Sequence, residues 1–372
     1  MRLKSLYSPK FAVKAIVALT ATLGCFSCNS VIDDGVANSC GVDVYFRYDY
    51  NMEAANSFTN KVDGVTLLVF DEAGNFVEKR EESGEALRDE NYKMHLDLHN
   101  KAKYTFVVYG GVACADKSFD LMPFERRSNV NLDELGAQMH TEAMEQKQSL
   151  HPLYYGKVNV EVEDYELQKV YVPLVKDTNN IRVVLQQING EVISDKDFQC
   201  YITDDNTYMN NDNAIVPQGT VTYRPWTQGQ SVIEDASWRD ESLDIDDGPV
   251  TAAYYELSTG RLMASDGINQ GLNPTARLVV RSVEKDREVI NIPLVKYLLL
   301  LKSALYDDIT KLNSLVDPRW KDNMIYSAEP NQNFLDRMSE WSIVFFLDSN
   351  NRWVNVYIIV NDWVVRINDA EL

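Results

Sequence analysis

Histidine is scarce in this chain of 372 residues: there are four, His95, His99, His140 and His151. None stands in metal-protease spacing. His95 and His99 fall on an expected strand and its end, where a four-residue separation does not converge. Cysteine is nearly as scarce, with five in all. Two of these, Cys25 and Cys28, sit near the start. Cys40, Cys114 and Cys200 then allow at most one bridge, so this is no disulfide scaffold and its stability must come from a core. Cys40–Cys114 is the pair to test, since both lie in the first half. Basic residues are outnumbered, 36 Lys and Arg against 56 Asp and Glu, for a net charge of −20. That argues against nucleic acid, whose phosphates need cations, and against electrostatic membrane binding. There is no Gly-x-Ser-x-Gly elbow, phosphate-cradling glycine loop or Rossmann fingerprint. No apolar run reaches the roughly 20 residues that span a bilayer as a helix. The most apolar, Pro293 to Leu301, is interrupted by Lys296 and reads as a buried strand.

What is present begins with the first twenty-eight residues. Arg2, Lys4, Lys10 and Lys14 precede an apolar run, Ala15 to Leu23, which ends in Gly24-Cys25-Phe26-Ser27-Cys28. A basic segment, a short apolar segment and a small residue before a cysteine describe a lipoprotein signal peptide. The expected organisation is a signal peptide over 1–27 and a lipidated tether over 28–40. Cys28 is preferred to Cys25 as the lipidated residue, because a polar, acidic leader with Asp33-Asp34 follows it. Acyl chains hold a protein on a membrane at about 0.8 kcal/mol per buried CH₂, with no spanning helix.

Beyond the leader the dominant pattern is alternation. Val42, Val44, Phe46 and Tyr48 alternate with polar neighbours, as a half-buried strand does. Val62 to Phe70, the turn Asp71-Glu72-Ala73-Gly74-Asn75 and Phe76 to Lys79 read as a hairpin. Tyr104 to Tyr109 reads as a central strand. One segment departs from this: Leu132, Leu135, Met139 and Met144 have roughly helical spacing over Asn131–Gln148, with Asn131 as N-cap. Lys176-Asp177-Thr178-Asn179-Asn180 looks like a joint between an N-terminal domain, 41–176, and a C-terminal domain, 177–372. Repeated short strands with turn signals mean β-sandwiches. The chain closes on Trp341 to Leu347, Trp353 to Val360 and Trp363 to Ile367. Trp353, Val356, Ile358 and Trp363 are the candidate contacts with a partner, because a terminal strand or the groove beside it can pair with another subunit by β-augmentation. The loop from Thr203-Asp204-Asp205-Asn206 to Asn210-Asn211-Asp212-Asn213 carries hard oxygen ligands suited to Ca²⁺. It lacks the EF-hand glycine and glutamate, and Asn and Asp equally bond their own turns. No cofactor is expected.

Several stretches together resemble the fimbrial anchor lipoproteins of Bacteroidetes, the FimB type. They are Cys28 to Asp34, Phe46-Arg-Tyr-Asp-Tyr-Asn51-Met52, Tyr104-Thr-Phe-Val-Val and Leu153-Tyr-Tyr-Gly156. Further on come Val172-Pro-Leu-Val-Lys-Asp177-Thr-Asn-Asn180-Ile-Arg-Val-Val-Leu-Gln186, Ile202-Thr-Asp204-Asp-Asn206, Tyr223-Arg-Pro225-Trp226 and Trp341-Ser-Ile-Val-Phe-Phe-Leu-Asp348. The resemblance implies an all-β fold, two tandem transthyretin-like β-sandwich domains with short helical insertions. It implies a surface-exposed outer-membrane lipoprotein, anchored through acylated Cys28, that fixes the base of a fimbrium and limits its length. Its partners would be pilin subunits, contacted by strand complementation. The family pattern places a cysteine directly before the glycine that ends the Tyr104 strand. Here Tyr109 stands there and the cysteine is Cys114, so no disulfide carries over. Two other readings stay open: a carbohydrate-binding surface lipoprotein of a glycan-uptake system, whose exposed Trp and Tyr stack on sugars, and a glycosidase using two carboxylates.

Overall fold

The computed structural model describes residues 40–53, 55–98, 101–140, 148–163, 166–233, 249–264, 275–304, 329–360 and 363–367, the last stretch from 355 by its backbone alone. Ten strands precede the joint: β1 (Gly41–Arg47), β2 (Gly64–Asp71), β3 (Phe76–Ser83), β4 (Met94–Leu96), β5 (Ala102–Gly110), β6 (Phe119–Met122), β7 (Gly136–Met139), β8 (Tyr154–Val162), β9 (Leu167–Pro173) and β10 (Val175–Lys176). They form a three-stranded sheet, β4-β1-β9, and a five-stranded sheet, β10-β8-β5-β2-β3. Alternation explains the packing. Val42, Val44 and Phe46 of β1 meet Leu67 and Val69 of β2 and Phe106 and Val108 of β5 in one buried cluster. The chain is all-β in class, with few short helices, as its sequence pattern leads one to expect.

The central strands of the five-stranded sheet, β2 and β5, are apolar on both faces. Leu68, Phe70, Val107 and Tyr109 point away from that first cluster into a second one. A strand buried on two sides carries a continuous apolar run instead of an alternating one, which is why Leu67 to Phe70 and Phe106 to Tyr109 read as they do. The hairpin turn between β2 and β3 is held by Asp71, whose Oδ1 accepts from the Ala73 and Asn75 amides at 2.9 and 2.8 Å.

Eleven more strands follow the joint: β11 (Asn179–Gln187), β12 (Phe198–Asp204), β13 (Tyr208–Asn210), β14 (Val221–Tyr223), β15 (Thr227–Ile233), β16 (Val250–Thr259), β17 (Arg277–Ser282), β18 (Arg287–Pro293), β19 (Glu340–Leu347), β20 (Trp353–Val360) and β21 (Trp363–Ile367). They make a six-stranded sheet, β15-β16-β11-β19-β20-β21, and a four-stranded sheet, β14-β12-β17-β18. Ile181, Val183 and Leu185 of β11 share a core with Ile343 and Phe345 of β19 and with Leu278 and Val280 of β17.

That core is continuous with the back face of the five-stranded sheet. A fifth, three-stranded sheet, β13-β7-β6, stitches strands from before and after the joint together. Gly136 is required in it: a Cβ there would lie 2.6 Å from the Met209 carbonyl oxygen and would collide with the Tyr208 hydroxyl.

Two expectations are corrected. The helix expected over Asn131–Gln148 is instead one 3₁₀ turn, Leu132–Glu134, followed by β7. Asn131 does cap that turn, in a capping box with Glu134. The misreading has a physical cause: Leu135 and Met139 are four apart, a spacing that one face of a helix and one face of a strand share. Residues 141–147, with Met144, lie outside the described residues. The stretch expected as a buried strand, Pro293 to Leu301, is a helix from Leu294 to Ala304. Pro293 ends β18, and Leu294, Leu298 and Leu301 are buried at helical spacing. The Cys40–Cys114 pairing, which the sequence leaves open, is not made: Cys114 is a half-buried free thiol.

Candidate functional site

The joint is built from polar side chains that find partners across long stretches of sequence. Lys176 Nζ donates to Ser339 Oγ at 3.2 Å and to Glu340 Oε1 at 3.1 Å. The Asp177 amide donates to the Leu153 carbonyl at 2.8 Å. Asn179 Nδ2 donates to the Gly260 carbonyl at 3.2 Å, and its Oδ1 accepts from the Trp341 indole at 3.1 Å. Asn180 Nδ2 reaches Glu340 Oε1 at 3.1 Å, and its Oδ1 accepts from Ser258 at 2.9 Å. The motif therefore fastens β11 to β16 and β19 at the point where the chain passes from one set of sheets to the next.

Beneath it lies a buried ion network. Arg261 faces Asp336 with two bonds, Nε to Oδ1 at 3.1 Å and Nη2 to Oδ2 at 2.8 Å. Asp336 sits on a short helix, Pro330–Arg337, and also accepts from Gln332 Nε2 at 2.7 Å. Asp177 Oδ1 stands 3.7 Å from Arg261 Nε and accepts from Asn213 Nδ2 at 2.8 Å. One guanidinium thus serves two carboxylates. Burial pushes the Asp177 carboxyl up to about 7, against the opposing pull of Arg261 and the Asn213 bond, while Asp336 adds to the rise. Burial also works against the charge on Arg261, but Asp336 and Asp177 outweigh it and keep the guanidinium charged.

A pH dependence follows. Between the ordinary value of 3.8 and about 7, folded Asp177 holds a proton that the unfolded chain has lost. Stability therefore falls as pH rises through that window and levels off above it. Asp177→Asn is expected to flatten this slope, read as urea midpoints of the parent and the variant between pH 5 and 8. An unchanged slope would show that Asp177 is ionised throughout.

Above the joint is a cleft of about 140 Å³ lined by Tyr48, Asn51, Tyr154, Lys176, Arg337 and Glu340, among others. Two of the cations that line it are engaged. Lys176 is paired as above, and Arg337 donates to the Asn51 carbonyl at 3.2 Å and stacks 4.2 Å above the Tyr50 ring. Three histidines each stand beside a carboxylate: His95 by Asp43 at 2.9 Å, His140 by Asp120 at 3.0 Å and His151 by Asp116 at 3.3 Å. His99 lies outside the described residues. Among the described residues no three His, Cys, Asp or Glu side chains converge as a metal site. Two carboxylate oxygens of the loop considered for Ca²⁺ are spent on the protein. Asp205 Oδ1 accepts from the Gln218 and Gly219 amides at 2.7 and 3.0 Å, and Asp204 Oδ1 accepts from Thr275 at 2.7 Å.

Cys28 lies outside the described residues. Trp353 opens β20 and is half-buried, its ring edge-on to Tyr297 at 6.4 Å and to Phe345 at 6.1 Å. Val356 and Ile358 follow on β20, whose backbone pairs them with Phe345 and Ile343. Trp363 opens β21; for these three the structure describes the backbone alone. β21 is the edge of the six-stranded sheet. An edge presents unpaired backbone groups to any strand that can lie beside it. Val354, between Trp353 and Asn355, is 39% exposed.

A family profile described as fimbrillin-A associated anchor proteins Mfa1 and Mfa2 matches residues 37–369. The chain belongs to that family. No curated protein is similar enough to match. Among solved structures, a candidate adhesin from Bacteroides thetaiotaomicron is 42% identical, with a TM-score of 0.73 over 90% of this chain and 100% of the other. A candidate polysaccharide-binding protein from the same species is 25% identical, with a TM-score of 0.66 over 90% and 100% of the two chains. The fimbrial anchor protein Mfa2 from Porphyromonas gingivalis is 14% identical, with a TM-score of 0.56 over 88% and 98%, and shares the fold. Membership of the Mfa1 and Mfa2 anchor family ties the chain to the fimbrium and the cell surface. It also places the chain with structural proteins. Sequence reasoning singled out Lys176 to Asn180 but missed the Arg261–Asp336 pair, whose members lie 75 residues apart with no local signal.

Proposed function

We propose that this chain is an outer-membrane lipoprotein that anchors the base of a fimbrium to the cell surface. Acyl chains on Cys28 hold it to the membrane, and the mature chain faces outward. It takes part in assembly and in setting fimbrial length, and it holds the terminal pilin by strand complementation at the C-terminal strands. The observation that carries this reading is the family match over residues 37–369. The signal-like pattern read over 1–27, just before Cys28, and the edge position of β21 among the described residues support it.

The test is capture of the tagged protein from detergent-solubilised membranes of its native host, with mass spectrometry of what comes with it. Pilin subunits are expected in the eluate. Val354→Lys, at an exposed position on β20, is expected to lower pilin capture several-fold while leaving the melting temperature unchanged. The 25% identical candidate polysaccharide-binding structure favours a second reading, a carbohydrate-binding lipoprotein of a glycan-uptake system. Transporters and glycan-binding lipoproteins in the eluate, with no pilin, would replace the first reading by the second.

A further inference from the structure

Of the strand pairings among the described residues, two are parallel and the rest antiparallel. Their positions in the chain are not arbitrary. β1 is the strand that follows the leader, and it lies parallel to β9, the strand that runs on towards the joint. The pairing covers seven positions, Gly41 beside Leu167 through Arg47 beside Pro173. Backbone bonds extend it at both ends: Gly41 N–H donates to the Glu166 carbonyl at 3.1 Å, and Leu174 N–H donates to the Arg47 carbonyl at 2.7 Å. After the joint the arrangement recurs. β11 begins at the joint and lies parallel to β19 over eight positions, Asn180 beside Glu340 through Gln187 beside Leu347. The chain leaves β19 at the end far from the joint.

Parallel pairing decides how such a joint responds to tension. A pull on Gly41 from the tether and a counter-pull at Leu174 act on opposite ends of β1 and β9. The strands can separate only by sliding, and every bond of the ladder opposes the first displacement together. Pulled from the same end, the two strands would unzip bond by bond. Sliding would also drag buried Val42, Val44 and Phe46 across their core and break the stack of Tyr45 on Tyr171, whose ring centroids are 5.0 Å apart. On its other side β1 has only three pairings, with β4.

We propose that β1–β9 and β11–β19 are two tension clamps in series, which keep the fold closed while a fimbrium pulls against the lipid tether. The proposal rests on the anchor reading, since an anchor is loaded between its N-terminus and its C-terminal half. The clamps act through unfolding rates under force, which equilibrium stability does not report.

The experiment is single-molecule pulling on the full mature chain. One handle is joined to the N-terminus. The other is attached through an azide-bearing side chain at Val192, 76% exposed just past β11, or at Leu167, 45% exposed at the start of β9. The first geometry shears β1 against β9, and the second peels them apart from one end. Matched melting curves establish that both attachments sit on folded protein. The proposal expects rupture at several-fold higher force with the handle at Val192 than at Leu167. Equal or lower force at Val192 would overturn it. A failure to capture pilin would leave this force ratio untouched, so the two readings fail separately.

Discussion

Replacing Asp336 by Ala is expected to destabilise the chain by about 3–5 kcal/mol, because it leaves a buried guanidinium without its bidentate partner. Arg261, Asp336 and Asp177 are all buried, and Arg261 has its best geometry towards Asp336. Gln332 Nε2 loses an acceptor as well. Asp177, 3.7 Å from Arg261, is the carboxylate left to compensate, and it should then ionise more readily. The pH slope described above should accordingly weaken in the same variant. Urea unfolding followed by tryptophan fluorescence reads the loss. The paired change Arg261→Met with Asp336→Leu removes the charge together with its partner and should recover most of the stability, since a packed apolar pair often matches a buried ion pair. If Asp336→Ala unfolds at the parent's urea concentration, the network does not hold the joint.

The second large effect concerns attachment. Cys28→Ser removes the thiol that would carry the acyl chains. The protein is then expected to move almost wholly from the membrane pellet to the soluble fraction. Acyl chains of ordinary length supply their hold at about 0.8 kcal/mol per CH₂, and nothing in an acidic chain replaces it electrostatically. No helix among the described residues is long and apolar enough to cross a membrane. Fractionation and immunoblotting read the result. Cys25→Ser is the control and should leave the protein in the pellet. Loss with Cys25→Ser and retention with Cys28→Ser would move the lipid to Cys25.

Much of the fold was legible in the sequence, and the misses have physical causes. Alternation located β1, and apolar runs bounded by turn residues located the β2–β3 hairpin and β19. The apolar run at Leu294–Ala304 carries no alternation. Its length and burial suit a strand or a helix equally until one sees that Leu294, Leu298 and Leu301 share a face. β7 was masked by the four-residue spacing of Leu135 and Met139. The joint motif drew attention to itself by composition, but its work could not be read, because Asn179 finds its partners 81 and 162 residues away. Parallel pairing of β1 with β9 is equally silent in the sequence: a parallel and an antiparallel half-buried strand alternate in the same way.

The most direct test of the anchor account is where fimbriae go when the protein is missing. Pilin in washed cells and in cell-free medium would be measured by immunoblotting in the parent strain and in a strain lacking this chain, with fimbriae counted and measured by electron microscopy. The account predicts that fimbriae shift from the cells to the medium and lengthen, and that the parent gene restores them while its Cys28→Ser version does not. Fimbriae that stay on the cells in unchanged number and length without the protein would contradict it.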